Sequence, residues 1–455
     1  MNPIPPTQGT DIPTIREIGR KISLDTTGLF PSRLIAFRHG CGFRAASRLK
    51  QVFEVVQVAH THDFLTSHRL DEKTRGAELL IYDNLGIGLL RVDDPEKLNY
   101  LRRRLKNSTE YRILRADTSS NWTVKPDESI GILTGEYDRS ANGDLVIARK
   151  KKDREPPPLK AVQAKSQGFE DNRHQSWAIQ ACGLSNRWTG AGAKIAILDT
   201  GIDLNHPDWN ARSIRHRSFI DSSAQDYHGH GTQCAGLAAG HPVDIEVPRF
   251  SAAPGADLYV AKVLENDGCG KDSVILAGID WAIGQGCQIL SLSVGVQSNT
   301  AEPDPVYELV GRRCLKSGVL FFAAAGNDSN RPTVVRPVSR PASCPSIFAV
   351  GAVDRQLRMA TFTNGTIPFG KGQIDAVAPG VDVFTTSIGP SPYGRFSGTS
   401  MAAPLCAGVA ALLIQDDPDC LGPRLWQKLA VVARRLPLPS IDVGLGLISM
   451  LQYRK

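Results

Sequence analysis

From about residue 177 the chain repeats one pattern: a short run made almost wholly of apolar residues, a helical stretch, then another such run. The runs are Lys194-Ile-Ala-Ile-Leu, Leu258-Tyr-Val-Ala-Lys-Val, Gln288-Ile-Leu-Ser-Leu-Ser, Val319-Leu-Phe-Phe-Ala-Ala and Ile347-Phe-Ala-Val-Gly. A strand with one wet face alternates polar and apolar side chains, so strands apolar on both faces must be covered on both. With helices between them, the pattern predicts an α/β fold whose mainly parallel sheet is the middle of three layers. In such sheets chemistry collects at the carboxyl ends of the strands.

Upstream the pattern changes. Residues 1–31 are rich in proline and read as an extension. Over 32–120 the expected elements are a strand at Arg33-Leu-Ile-Ala-Phe-Arg, an amphipathic helix over 43–53 and a strand at Val55-Val-Gln-Val. A strand follows within 77–92, broken at Asn84-Leu-Gly-Ile-Gly. A helix then starts with Asp94 as N-cap and Pro95 in its first turn and runs to about Asn107, before a last strand at Tyr111-Arg-Ile-Leu-Arg-Ala. The order β-α-β-β-α-β describes a small α+β domain. Residues 121–170 read as a polar linker, with a hairpin across Gly131-Ile-Leu-Thr and Leu145-Val-Ile-Ala. The α/β unit fills 171–455.

The formal charge of +7 is concentrated in two clusters, Arg102 to Arg104 and Arg149 to Arg154, which read as solvated surface. No nucleic-acid motif accompanies them, and no nucleic-acid partner is expected. The first residues carry no apolar leader and the sequence has no uninterrupted apolar run of about 18 residues. Neither export nor a membrane partner is signalled. Nine cysteines without CxxC spacing read as small buried side chains, not a disulfide framework or a zinc site. A reducing cytoplasm is the expected location.

Three motifs carry chemistry. In Ile197-Leu-Asp199-Thr-Gly an aspartate ends an apolar strand, where its charge requires hydrogen bonds of the kind that orient an imidazole. In Asp226-Tyr-His-Gly-His230-Gly-Thr-Gln-Cys-Ala-Gly236, glycines flank His230 at a helix start, which suits a general base; His228 is the competing imidazole. In Phe396-Ser-Gly-Thr-Ser400-Met-Ala-Ala-Pro404, Ser400 opens an apolar helix, either as an N-cap or as a nucleophile among unpaired backbone donors.

Taken together, in the order Asp, His, Ser, these stretches resemble the subtilisin-like serine peptidases over roughly 170–450. The resemblance implies a subtilisin-like three-layer fold and serine endopeptidase activity, with Ser400 as nucleophile, His230 as base and Asp199 as orienting carboxylate. It makes Asn327, in Ala323-Ala-Ala-Gly-Asn327, the oxyanion-hole donor. It also implies a substrate-binding edge at Gly268, Cys269 and Gly270, an opposite wall at Ser293, Val294 and Gly295, and a specificity pocket completed by Ala324, Ala325, Gly326 and Ser339. No acidic residue is expected in that pocket, which argues against a requirement for basic residues like that of the proprotein convertases.

The sequence departs from the family pattern at Gln233, Cys234 and Leu405-Cys406, none of them a catalytic group. The loop from Gly240 to Ala253 lacks the Asn-rich pattern of the family's calcium loop, and Asp208 is a single carboxylate. No metal or other cofactor is expected for the chemistry, and structural calcium is left open. The 32–120 domain resembles, in topology and position, the family's propeptide, an intramolecular inhibitor. Self-processing in the linker follows as an expectation. A reading from another class is a silent scaffold that binds peptides along the same edge, which would require a damaged catalytic position.

Overall fold

The computed structural model describes residues 32–37, 58–60, 79–85, 87–91, 111–116 and 122–123, and 168–453 apart from 211, 213, 298–301, 368–369, 371 and 452. Strands β1 (Ser32–Phe37), β2 (Val58–His60), β3 (Leu79–Tyr82), β4 (Ile87–Arg91) and β5 (Tyr111–Ala116) form one sheet in the order β2-β3-β4-β1-β5. β1 runs antiparallel to β4 and β5, β3 antiparallel to β4, and β2 parallel to β3. The expected break within 77–92 is the turn at 83–85 between β3 and β4. Of the strand expected at Val55 to Val58, residues 55–57 lie outside the described residues, and Val58 pairs, together with Ala59 and His60, opposite Leu79, Leu80 and Ile81. The helices expected over 43–53 and 94–107, the hairpin over 131–148 and the extension 1–31 lie outside the described residues. A two-residue strand, β6 (Trp122–Thr123), follows the sheet.

The larger unit contains β7 (Lys194–Asp199), β8 (Arg215–Ser218), β9 (Asp257–Lys262), β10 (Cys269–Gly270), β11 (Ile289–Leu292), β12 (Leu320–Ala324), β13 (Phe348–Val353) and β14 (Ala376–Pro379). Seven of these form a parallel sheet in the order β14-β13-β12-β11-β7-β9-β8. All five strands expected from the apolar runs are present. The edge strands β8 and β14 escaped sequence reading: β8 is Arg-His-Arg-Ser with its polar side chains largely exposed, and β14 is only Ala-Val-Ala-Pro. A hairpin of β15 (Val383–Thr386) and β16 (Tyr393–Phe396) follows.

The α-helices of this unit are α1 (Trp177–Ala181), α2 (His230–Ala239), α3 (Asp272–Gly284), α4 (Pro305–Lys316), α5 (Thr399–Asp416), α6 (Pro423–Val432) and α7 (Ser440–Val443). Strand alternation divides them into layers. Ile195 and Ile197 point into a core with α2, α5 and α6, whereas Ala196 and Leu198 point into a second core with α3 and α4. By length and composition α5 passes for a membrane span, yet 89% of it is buried inside the protein, as the central core helix. Leucines closed off from water on it, such as Leu405 and Leu413, each contribute roughly 2 kcal/mol through burial.

The N-terminal sheet packs on the second core. Leu80, Tyr82 and Ile87 belong to the same apolar cluster as α3 and α4. At the β3–β4 turn, Leu85 N donates to Asp280 Oδ1 at 2.9 Å and Asn84 Nδ2 donates to Asp280 O at 3.0 Å. The Tyr82 hydroxyl donates to Ser273 O at 3.0 Å, and the Arg313 guanidinium of α4 donates to Leu85 O.

Candidate active site

Asp199 ends β7 near the centre of the parallel sheet and is fully buried. Its Oδ1 accepts from Thr200 N at 2.7 Å and meets His230 Nδ1 at 2.8 Å. Since the carboxylate can only accept, Nδ1 carries the proton and Nε2 is left as the basic nitrogen. His230 is the first residue of α2, following Gly229 at φ 99°, a left-handed conformation that a side chain would resist. The imidazole bonded to Asp199 is that of His230, not of His228. Burial works against the charged form of His230, and the adjoining Asp199 carboxylate outweighs it, holding the imidazolium well above the usual histidine range.

The carboxylate that fixes the His230 segment, Asp226, was not recognised in the sequence as a working part. It accepts from Gly229 N at 2.8 Å, Thr232 N at 2.9 Å, the Thr232 hydroxyl at 2.7 Å and the Thr200 hydroxyl at 2.9 Å. Burial opposes its charge, but these donors win and hold its pKa below the ordinary value. Thr200 also receives Gly231 N at 2.9 Å, so the turn after Asp199 and the helix start carrying His230 are tied through shared side chains. An Asp four residues before a His-Gly-Thr was the available signal, since a helix N-terminus favours a nearby carboxylate.

Ser400 is the second residue of α5; the N-cap position is Gly398, so capping is not its role. Its hydroxyl donates to Ser293 O at 3.0 Å, and His230 Nε2 has no hydrogen-bond partner among the described residues. Catalytic hydrogen bonds are often unmade without substrate. Cys234 on α2 spans the pair, its Sγ 3.8 Å from His230 Nδ1 and 3.5 Å from Ser400 O. Asp199, His230 and Cys234 form a buried group of metal-ligating type, with donor atoms within 4.8 Å of one another. Ligation there would cost the bond from His230 to Asp199, and burial pushes the Cys234 thiol up, keeping it protonated.

Asn327 stands three residues beyond β12. Its Oδ1 accepts from Thr399 N at 2.9 Å and from the Thr399 hydroxyl at 2.8 Å. A backbone N–H demands an oxygen, so the amide orientation is fixed and Nδ2 is the group left to donate. Asn327, Ser400, Ser293, Val294, Gly295, Ala324, Gly326 and Ser339 line one cavity of about 190 Å³. Ala325 is buried behind it and absent from the wall.

Two findings revise the sequence reading of the groove. Asp328 also lines this cavity, correcting the expectation of no acidic residue there. In the sequence Asp328 directly follows the Ala-Ala-Ala-Gly-Asn motif and carries no motif of its own. The edge at Cys269 and Gly270 pairs antiparallel with Thr123 and Trp122 of β6, so a segment read as linker occupies it as a strand. Gly268 holds φ 80° at the bend leading into that edge.

Asp208 is buried, and its Oδ1 accepts from the Tyr393 hydroxyl. Burial raises its pKa, and His206 stands 4.0 Å away. The contact on that oxygen is thus a protein donor.

A model of the subtilase family matches residues 190–434, more than half of the chain. The chain belongs to the subtilase family. This subtilase is 35% identical over 269 residues to Subtilisin E of Bacillus subtilis (strain 168), covering 58% of the chain and 66% of that protein, just under two thirds of its length. It is 38% identical over 274 residues to Subtilisin BL of Lederbergia lenta, covering 60% of the chain and 94% of that protein. With an intracellular serine protease of Paenibacillus polymyxa it shares 35% over 284 residues, 59% of the chain and 82% of that protein. A crystal structure of a cold adapted subtilisin-like serine proteinase superposes with a TM-score of 0.50 at 24% identity, covering 61% of the chain and 98% of that structure, which shows the three-layer fold.

Proposed function

We propose that this subtilase is a serine endopeptidase. The observation that carries the reading is the 2.8 Å bond between His230 Nδ1 and a fully buried Asp199, beside a cavity lined by Ser400 and Asn327. A peptide lies extended along Gly268 to Gly270 and Ser293 to Gly295. Ser400 Oγ turns from Ser293 O toward His230 Nε2, gives up its proton there and bonds to the scissile carbonyl carbon. The carbonyl oxygen becomes an alkoxide, which receives hydrogen bonds from Asn327 Nδ2 and backbone N–H groups at the start of α5. His230 then passes its proton to the leaving nitrogen, the C–N bond breaks, and water repeats the sequence on the acyl-enzyme. Asp199 keeps Nδ1 protonated throughout and balances the imidazolium. No metal or other cofactor takes part in these steps.

The N-terminal unit is an intramolecular inhibitor in this reading. Support comes from β6, which takes the edge that an extended peptide would use. Self-cleavage within 120–176 would release it. The eight described cysteines, all unpaired, fit a reducing cytoplasm.

The experiment is fluorophosphonate labelling with peptide mapping, alongside peptide hydrolysis by wild type and Ser400→Ala. Labelling at Ser400, and loss of hydrolysis in a folded Ser400→Ala, are expected. Labelling at another serine would overturn the assignment, and hydrolysis by Ser400→Ala would overturn the mechanism. Masses of the two proteins after incubation test self-cleavage separately.

A further inference from the structure

Lys262 is the charged residue of the otherwise uncharged run Leu258-Tyr-Val-Ala-Lys-Val, and it is fully buried at the end of β9. The parallel pairing of β9 with β7 sets it opposite Asp199. Its ammonium donates to Thr200 O at 2.5 Å and to Asn266 Oδ1 at 2.8 Å. Thr200 is the residue that joins the two buried carboxylates of the site. Its N–H goes to Asp199 Oδ1, its hydroxyl goes to Asp226 Oδ1, and that hydroxyl receives Gly231 N beside His230. The carbonyl is the remaining polar atom of Thr200, and Lys262 holds it. Burial pulls the lysine pKa below its ordinary value, while Asp221, Asp226, Glu265 and Asp199 favour the charged form.

We propose that Lys262 is a positioning residue for the serine chemistry: it fixes the Thr200 peptide that joins Asp199 to Asp226, and its charge offsets theirs so that His230 is free to act as a base. The proposal deepens, and rests on, the endopeptidase reading. The ionisable groups around His230 are Asp199 and Cys234, both against its Nδ1, His228, edge-on with ring centroids 6.3 Å apart, and Asp226, bonded to the backbone of its helix start. Burial favours the neutral forms of Cys234 and His228. The charges that act on the imidazole from these neighbours are thus two carboxylates, and each favours the imidazolium. A general base held protonated by two uncompensated carboxylates would work only at high pH. A buried cation bound to the residue that joins them acts in the opposite sense, and burial keeps water from screening it.

The test is kcat/KM against pH for one peptide, on wild type, Lys262→Gln and Lys262→Arg, with active sites counted by fluorophosphonate so that unfolded protein drops out. Glutamine keeps an N–H for Thr200 O without the charge, and arginine keeps the charge. Loss of a positive charge favours the imidazolium, so the ascending limb of Lys262→Gln is expected at least about half a pH unit above that of wild type. Below the limb the variant is then about threefold or more slower, and above it the gap narrows. Lys262→Arg is expected to keep the wild-type limb. A loss that is equal at every pH, with the limb unmoved, would overturn the proposal and leave the endopeptidase reading standing. A limb displaced alike in Lys262→Arg would also overturn it, since the charge is kept there. So would a Lys262→Gln chain that does not fold, since the charge would then serve the fold and not the base. Absence of hydrolysis by wild type, with Ser400 unlabelled, would overturn the endopeptidase reading itself.

Discussion

Pro404 lies four residues after Ser400 in the same helix and has no N–H to give to the Ser400 carbonyl. The Ser293 hydroxyl takes that place at 3.0 Å, while Ser400 Oγ donates back to Ser293 O at 3.0 Å. The proline thereby frees a carbonyl of the serine-bearing turn, and the pocket wall grips the turn through it. Ser293→Ala should leave Ser400 O with the weak Cys234 thiol at 3.5 Å as its remaining donor and cost about 1–3 kcal/mol, the usual penalty for a poorly satisfied buried acceptor. Adding Pro404→Ala supplies an N–H from within the helix. The double variant should therefore be more stable than the two single losses sum to, by about 0.5–2 kcal/mol in denaturant unfolding. Strict additivity would show that the carbonyl is not shared between them.

Asp199→Asn should lower kcat by about four orders of magnitude, as loss of the orienting carboxylate does in other triads. The informative readout is pH. His230 must be neutral to act as base, so kcat/KM rises as pH climbs through its raised pKa. Without the Asp199 charge, burial loses its main opponent on the imidazole, and the ascending limb should move to lower pH. A limb that stays in place would show that another group sets it. The fold favours the imidazolium, so this pair's contribution to stability is complete below the ordinary histidine value of about 6.5 and is lost as pH rises through the folded value.

Asp226 has the opposite sign. Its folded pKa is depressed, so its contribution is present above the ordinary carboxylate range, about 3.9, and is lost as pH falls through the folded value. Asp226→Asn turns an amide toward backbone and hydroxyl donors and should cost about 2–4 kcal/mol. The wild type and variant unfolding curves should converge in acid. A constant gap between them down to low pH would mean that Asp226 does not act through its charge.

The parts legible in the sequence are those where one residue type has one physical use. Apolar runs with no polar alternation marked five strands of the parallel sheet, and Asp199, His230 and Ser400 sat in motifs whose combination is specific. The parts that were not legible depend on partners distant in sequence. Asp328 becomes a pocket residue because Asn364, 36 positions later, turns it there. Trp122 and Thr123 become a strand because Cys269 and Gly270 offer an edge. Strand β8 has no apolar face, since it closes the sheet at its exposed rim.

Cys269 combines several of these effects. It is the half-exposed cysteine among eight described, the other seven being buried, and it lies on the edge covered by β6. Burial and the neighbouring Asp267 push its thiol up, so the reactive thiolate is scarce near neutral pH. Iodoacetamide should react slowly there and faster as pH rises. If β6 shields the edge and is released by self-cleavage, Cys269 should be alkylated faster in processed wild type than in intact Ser400→Ala. Alkylation of the processed enzyme should raise KM more than it lowers kcat, because the added group obstructs docking and leaves the triad untouched. Cys269→Ser should abolish the effect while Cys234→Ser retains it, with peptide mapping identifying the modified residue. Equal rates in the intact and processed forms would show that β6 does not protect the edge. Full modification of Cys269 with unchanged kinetics would remove this segment from the substrate groove.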